Sequence, residues 1–479
     1  MLKSTFVTLL GLIISFSIYA NDSTQLSAQE IDLDKKLSNL KNELLAKASQ
    51  NKLAIYSSSF TQLRPFIESS ELYKLFQLMP KGGVLHLHNG GMANPKWLIS
   101  AAAEYNNCYI YIGKDNSNYI YGQLVVFTKG PAPKDFLSLQ QYLKFDKNAA
   151  GSLLKLLTLN RSDLTDYMDT WVEFEKRFKR VGMLVAYRPF FKEYYREAFN
   201  ELVKDHVQHV EIRYGFGKLF DEKNDNYPAD TAIADLKQLV AEVQKTQPTF
   251  TLKLIYSSFK FLDTIAVSEK LQVAFELKKK YPELITGFDL VADEATNHTV
   301  GYYNPVWNSI SALEKQYGIT MPLYLHAGES SSTSNTNLAE IPFQYNKRIG
   351  HGLNLVYFPD IMQRVKTADN LVEVSPISNQ ELNYVSDLRN HPARVLLANG
   401  VACSINSDDP GVYGYDGLSY DFWMAYMAWD LDVAKLKKLI TNSIVYSSLS
   451  EEEKKTALTH LSKAWDKFVD SEFLENHCQ

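Results

Sequence analysis

His86 and His88, in the run VLHLH (84–88), stand two residues apart, so in an extended strand both imidazoles point to one face. Alone, such a pair is as readily a polar strand end as half of a metal site. Five further groups that could serve such a site tip the balance. His326 closes the apolar run PLYLHAG (322–328), with Glu329 behind it in the exit loop. His351 closes RIGHG (348–352), and Asp408 and Asp409 follow ACSINS (402–407). Each falls at the C-terminal end of a strand-like run, which makes a joint site a better reading than coincidence.

Three neutral imidazoles and a carboxylate from this set make a borderline-soft nitrogen and oxygen donor group suited to zinc. Zinc lowers the pKa of a bound water to about 7, giving a nucleophile at neutral pH. Glu329 is then the natural proton carrier, and His351 is placed to orient the attacking oxygen. Asp408 and Asp409 need not share a role: one can bind metal while the other hydrogen-bonds substrate, although Asp409 also reads as a turn residue before Pro410. The remaining six histidines fall mostly in helical or loop stretches, where solvent-facing or structural roles are the default. The sequence lacks the His-x-Glu with Pro-Cys-x-x-Cys zinc pattern, a Walker-type loop, a Gly-x-Gly-x-x-Gly fingerprint and a Gly-x-Ser-x-Gly elbow. Phosphoryl transfer, dinucleotide binding and serine-esterase chemistry lose support.

Positioning such groups requires a parallel α/β scaffold. Strand-like runs recur at 84–88, 209–213, 252–257, 285–291, 322–328, 348–352, 371–378 and 402–407, with helical patterns between several of them. Eight such runs predict a closed (β/α)8 TIM barrel, whose catalytic groups sit at the strands' C-terminal ends. An open sheet would show the same alternation. The gap after the first strand is too long for a plain crossover. We read residues about 105–165 as an insertion opening with a pair of β strands, and 79–470 as the barrel that carries it. Before the barrel, 21–78 reads as a helical extension. Its helix over 26–50 carries Leu33, Leu37, Leu40 and Leu44 on one stripe, for packing on the barrel or for dimerisation, and a second helix is expected over 69–79.

The 479 residues are 45% apolar and 22% charged, ordinary for a folded protein, and the net charge of -5 gives no reason to expect nucleic acid or an anionic membrane as partner. Residues 1–20 carry one charge, Lys3, then an apolar run from Phe6 to Ile18 and a small residue for cleavage, Ala20, which is a signal-peptide pattern, an uncleaved N-terminal anchor being the other reading. Export, secreted or periplasmic, with no membrane attachment after cleavage, is the expectation. Cys108, Cys403 and Cys478 are too few for a disulfide framework.

In order along the chain, MPKGGVLHLH, HAGES, RIGHG, SPISN and SINSDDP resemble the adenosine deaminase family of metal-dependent amidohydrolases, over roughly residues 70–470. WVEFEKRF (171–178), QHVEIR (208–213), VSDLRNHPA (385–393), GLSYDF (417–422), NSIVYS (442–447) and WDKF (465–468) look like its secreted branch, the adenosine deaminase-related growth factors. The resemblance implies one Zn2+ on His86, His88, His326 and Asp408. It implies Glu329 as proton donor to the purine, His351 as partner of the attacking hydroxide, and Asp409 on the imidazole-ring side of the base. Trp171 would line the nucleoside pocket and the Ala292 backbone would meet the purine. The activity implied is deamination of adenosine and 2′-deoxyadenosine to inosine and 2′-deoxyinosine, in a homodimer joined through N-terminal helices.

The departures fall on the sugar side. Asn89 stands where the family has an acid reaching the ribose, and Phe259 where the branch has a histidine. Ala292 replaces a usual glycine, and Cys108 has no nearby mate for the branch's disulfide. Two other readings stay open: a deaminase of adenine or of a modified nucleoside, and a secreted receptor-binding, growth-factor-like protein.

Overall fold

The computed structural model of the chain describes residues 26–165, 168–470 and 474. The expected leader and Cys478 lie outside them. Among the described residues, eight parallel strands follow one another: β1 (Gly82–His88), β2 (Val207–Tyr214), β3 (Thr251–Phe259), β4 (Ile285–Val291), β5 (His326–Ala327), β6 (Arg348–His351), β7 (Leu371–Val374) and β8 (Cys403–Ile405). β1 to β4 pair in chain order, and so do β5 to β8.

Two seams join these halves into a ring. Leu323, just before β5, bridges Phe288 of β4 on one side and Asn346 on the other. There Tyr324 N donates to Phe288 O at 3.0 Å and Lys347 N to Leu323 O at 2.9 Å. At the second seam Leu87 of β1 bridges Asp408, with Asp408 N donating to His86 O at 3.1 Å and His88 N to Asp408 O at 3.2 Å. A closed barrel leaves no strand edge, and this second seam sets two histidine-bearing residues beside an aspartate.

Several sequence expectations change. The run 371–378 ends as a strand at Val374, because Pro376 occupies a first-turn position and opens the helix Pro376–Glu381. The fifth run is a strand only over His326–Ala327. A helix at Phe60–Glu68 precedes Glu71–Leu78, and the sequence reading had missed it. The first helix, Ala28–Gln50, starts at a Ser27/Glu30 capping box and buries Leu33, Leu37 and Leu44. That apolar stripe is spent within the chain: Glu30 accepts from Lys437 Nζ at 2.7 Å and Trp465 Nε1 at 2.8 Å. The region after β1 holds a three-stranded antiparallel sheet (Cys108–Tyr111, Leu124–Val126, Phe136–Ser138) rather than a pair. Its middle strand in sequence packs on the helix Thr170–Val185, whose Arg180 Nε donates to Tyr121 O at 2.9 Å. Cys108 and Cys403 are buried free thiols.

Candidate active site

The barrel interior is charged where a simple barrel would be aliphatic. His209, Glu211 and Arg213, alternate residues of β2, are wholly buried and face one another's partners across the ring. Arg348 bridges Glu211 (2.6 Å) and Glu373 (2.5 Å), while Arg213 bridges Glu373 (2.5 Å) and Asp289 (3.1 Å). Burial pushes the Asp289 and Glu211 carboxyls up, but these cations and His326 and His209 hold them far below the usual range. The network ends on two of the sequence-predicted metal ligands. Glu373 Oε2 lies 2.8 Å from His86 Nδ1, and Asp289 Oδ2 lies 2.7 Å from His326 Nδ1.

These contacts fix tautomers. A carboxylate can only accept, so His86 and His326 carry their protons on Nδ1 and leave Nε2 as the bare lone pair on the far side of each ring. His351 is held in the opposite way. The Ala393 backbone N–H donates to His391 Nδ1 (3.1 Å), which puts the His391 proton on Nε2, facing Asn379 Oδ1 at 3.2 Å. The other end of that amide, Nδ2, donates to His351 Nδ1 at 3.1 Å. Burial pushes both imidazoles down to about 3, so each carries one proton. His351 therefore presents an Nε2–H, 3.6 Å from Glu329 Oε1 and 3.9 Å from Asp408 Oδ2. It can donate a hydrogen bond there and cannot ligate a cation through Nε2.

The rings meet closely: His86 is centred 4.5 Å from His326 and 5.2 Å from His88. Asp408 Oδ1 lies 3.4 Å from His86 Nε2 and 3.2 Å from His88 Nε2, and its Oδ2 accepts from Ser378 Oγ at 2.7 Å. Gly350 makes room, since a Cβ there would sit 3.0 Å from His86 Cε1 and 3.2 Å from His326 Cα. His351 and Asp408 hold positive φ (62° and 59°), sparsely populated conformations of the kind retained at functional sites. His86, His88 and Asp408 form a cluster with the spacing of a cation site. His86 Nε2, Glu329 Oε1 and Asp409 Oδ1 are buried and lack any hydrogen bond. Each such orphan costs about 1–3 kcal/mol unless something fills the gap. Burial first, then the Asp408 charge, push the Glu329 and Asp409 carboxyls well up from the usual carboxylate range.

His88, His326, Glu329, His351, Asp408 and Asp409 floor a cavity of about 690 Å³ whose walls include Asn89, Trp171, Phe259 and Ala292. The sequence-predicted residues thus converge, including the sugar-side ones. Trp171 Nε1 donates to Tyr384 OH at 2.7 Å, which pins the indole in the wall. Ala292 sits at φ 107°, a glycine's conformation. Ala292→Gly is expected to raise the unfolding free energy by about 1 kcal/mol by removing that strain, read as a higher urea midpoint; a lower midpoint would show the conformation is unstrained. Lys260 and Arg348 are wholly buried and paired, Lys260 with Glu294 at 3.0 Å and the His326 carbonyl at 2.9 Å. Neither is available to a phosphate.

Sequence reasoning missed the residues that set these tautomers: Glu373, Asp289, Arg213, Asn379 and His391. Among the histidines left to default roles, His209 and His391 are buried members of these networks.

The family model described as adenosine deaminase matches residues 156–464. Adenosine deaminase 2 of Dictyostelium discoideum is 32% identical to this chain over 437 residues, covering 90% of this chain and 80% of that one. Adenosine deaminase 2 of Homo sapiens is 31% identical over 461 residues, covering 93% and 89%. Among solved structures, an adenine deaminase from Arthrobacter aurescens is similar with TM-score 0.56 at 21% identity, over 81% of this chain and 99% of that one. An amidohydrolase from Burkholderia ambifaria, solved with bound Zn, is similar with TM-score 0.58 at 14% identity, over 87% and 98%. At such identities the structural likeness speaks for the fold.

Proposed function

The chain belongs to the adenosine deaminase family of hydrolases, and from that premise we propose that it deaminates adenosine and 2′-deoxyadenosine to inosine and 2′-deoxyinosine outside the cytoplasm. The observation that carries the reading is that two unpartnered buried atoms, Glu329 Oε1 and Asp409 Oδ1, line the cavity floor beside Asp408, whose Oδ1 lies 3.4 Å from a third, His86 Nε2. They differ in character: a lone pair for a cation, and two carboxyls placed to donate. Such a set matches a flat heterocycle that needs water brought to one carbon and protons supplied at its ring nitrogens.

The bare Nε2 atoms of His86 and His326, with His88 and Asp408, fit a zinc ion, which when bound supplies Lewis acidity and a water of lowered pKa. The chain's own groups do the rest. Glu329 gives its carboxyl proton to the ring nitrogen beside the amino-bearing carbon as water adds there. The His351 Nε2–H donates to the attacking oxygen and steadies it. Asp409 donates to the imidazole-ring nitrogen, fixing which face and edge of the purine meets the water. The Glu329 carboxylate takes the proton the water loses as it adds, passes it to the amino nitrogen, and takes up the hydroxyl proton as the carbon–nitrogen bond breaks, so that ammonia leaves and the ring carbonyl forms. Apolar walls exclude bulk water and strengthen each of these contacts.

Export rests on the leader-like first twenty residues. Among the described residues no helix is long and apolar enough to cross a membrane. A phosphorylated substrate is disfavoured by the pairing of Lys260 and Arg348, although Lys218 and Lys270 reach the cavity wall.

The test is direct: incubate purified zinc-loaded protein with adenosine, 2′-deoxyadenosine, adenine and AMP, and follow loss of the adenine absorbance. Turnover of both nucleosides is expected. No turnover of any compound would sink the reading, and turnover of adenine or AMP alone would keep the chemistry while rejecting the nucleoside.

A further inference from the structure

The cavity extends well beyond the catalytic floor. One stripe of the helix Thr170–Val185 lines it, through Trp171, Phe174, Phe178, Gly182 and Val185, and Ala186 just past the helix continues the line. Steps of three and four residues keep these on one face. From Trp171 to Ala186 the rise is about 22 Å, longer than a nucleoside lying with its base on the floor. The helix's first turns lie near the chemistry: Phe174 stacks 6.3 Å from Tyr413, whose hydroxyl is 2.9 Å from Ser378 Oγ, the partner of Asp408. Its far end lies elsewhere, where the Phe220 N–H donates to Ala186 O at 3.0 Å. The cavity therefore has an arm running from the sugar side away from the floor.

That arm is apolar and wide. Phe216 stacks on Tyr256 (5.6 Å between centroids) and Phe259 on Phe261 (4.8 Å), and all four rings line the cavity. Phe259 and Phe261 are 46% and 55% exposed. Gly182 is the second observation. It sits inside a helix, where glycine is disfavoured, yet a Cβ there would meet nothing within 4 Å. Packing does not require the glycine; its effect is to keep the arm open. The charged side chains on the lining, apart from the floor, are Glu175, Lys218 and Lys270.

We propose that this arm is a subsite for an apolar substituent on the sugar, so that the substrate class is adenine nucleosides carrying an alkyl or aryl group, joined directly or through a thioether, on the 5′ carbon. That carbon is the sugar's outermost, so a group on it projects away from the base. Asn89 and the ring of Phe259 line the cavity and put no charge on this side of it. The inference rests on the deaminase reading above.

Its test compares kcat/KM for 5′-deoxy-5′-butylthioadenosine, adenosine and AMP in the zinc-loaded full chain and in Gly182→Ala and Gly182→Leu. The wild-type protein is expected to favour the butylthio compound over adenosine by about tenfold or more, the scale set by burying a few methylenes. Gly182→Leu, which fills the arm, is expected to cut that ratio at least about tenfold, with Gly182→Ala between. Thermal melts at or above the wild-type value would show both variants folded; should Gly182→Leu melt lower, the Gly182→Ala ratio decides. No preference for the butylthio compound, a preference for AMP, or a ratio untouched by filling the arm would overturn the subsite. Adenosine turnover with no preference removes this inference alone, whereas no turnover of any compound removes the deaminase reading with it.

Discussion

Glu329→Gln is expected to lower kcat on the order of 10³-fold or more, the loss of a positioned general acid together with the proton it holds, while the protein keeps one zinc per chain. The amide is nearly isosteric with the carboxyl, and Glu329 Oε1 makes no hydrogen bond that the change would break. It donates an N–H but cannot surrender its proton to the ring nitrogen, so binding of the nucleoside should fall far less than turnover. Burial and the nearby Asp408 charge both oppose ionisation of this carboxyl, and the amide of the variant is likewise uncharged. The comparison therefore isolates proton transfer from charge. Steady-state kinetics with adenosine and a metal assay on the same sample read it out. Activity within tenfold of wild type would mean the proton carrier is another group, and loss of zinc would mean Glu329 is a ligand.

The sequence carried the barrel and the site's floor well, for one reason. In a parallel barrel every functional group sits at a strand's C-terminal end, and strand ends can be read locally from apolar runs that stop at His326, His351 and Asp408. The His86/His88 pair was legible because side chains in a strand repeat every second residue. What could not be read locally is which residues stand behind these groups. Glu373 reaches His86 from 287 positions away and Asp289 reaches His326 from 37; both contacts depend on register across the ring. The same holds for ligand choice. His326 and His351 look alike in sequence, each closing a short strand, and they differ only in what meets Nδ1: an acceptor for one and a donor for the other. Local chemistry also overrode pattern once, where Pro376 turned a strand-like run into a helix. That helix delivers Ser378 and Asn379 to the site, so the misread segment is the one that positions Asp408 and His351.

Asn379→Asp follows from that difference and should be nearly as damaging as Glu329→Gln. In the wild-type chain the proton order begins at a group with no choice, the Ala393 N–H, and passes through His391 and the Asn379 amide to leave His351 with its proton on Nε2. An aspartate at 379 has the same shape but no donor. Its carboxylate accepts from His391 at one oxygen and can only accept from His351 at the other, which moves the His351 proton to Nδ1 and leaves a bare lone pair facing Glu329 and the attacking oxygen. The hydrogen bond to that oxygen is lost, and a further imidazole lone pair now competes for the cation. Misplacing one imidazole proton in a serine-protease triad costs on the order of 10⁴ in kcat; here a loss of about 10²–10⁴ is expected, with KM for adenosine changed far less. His391→Ala should be milder, near tenfold, because it frees the Asn379 amide to turn without forbidding the productive orientation. A structural role would predict the reverse order, since removing a buried ring opens a cavity whereas Asn to Asp does not. Nitrogen-15 shifts of the His351 ring give a readout independent of rate: the protonated nitrogen should switch from Nε2 to Nδ1 in Asn379→Asp. An unchanged tautomer, or kcat within threefold of wild type, would show that the His391–Asn379 chain does not set the state of His351.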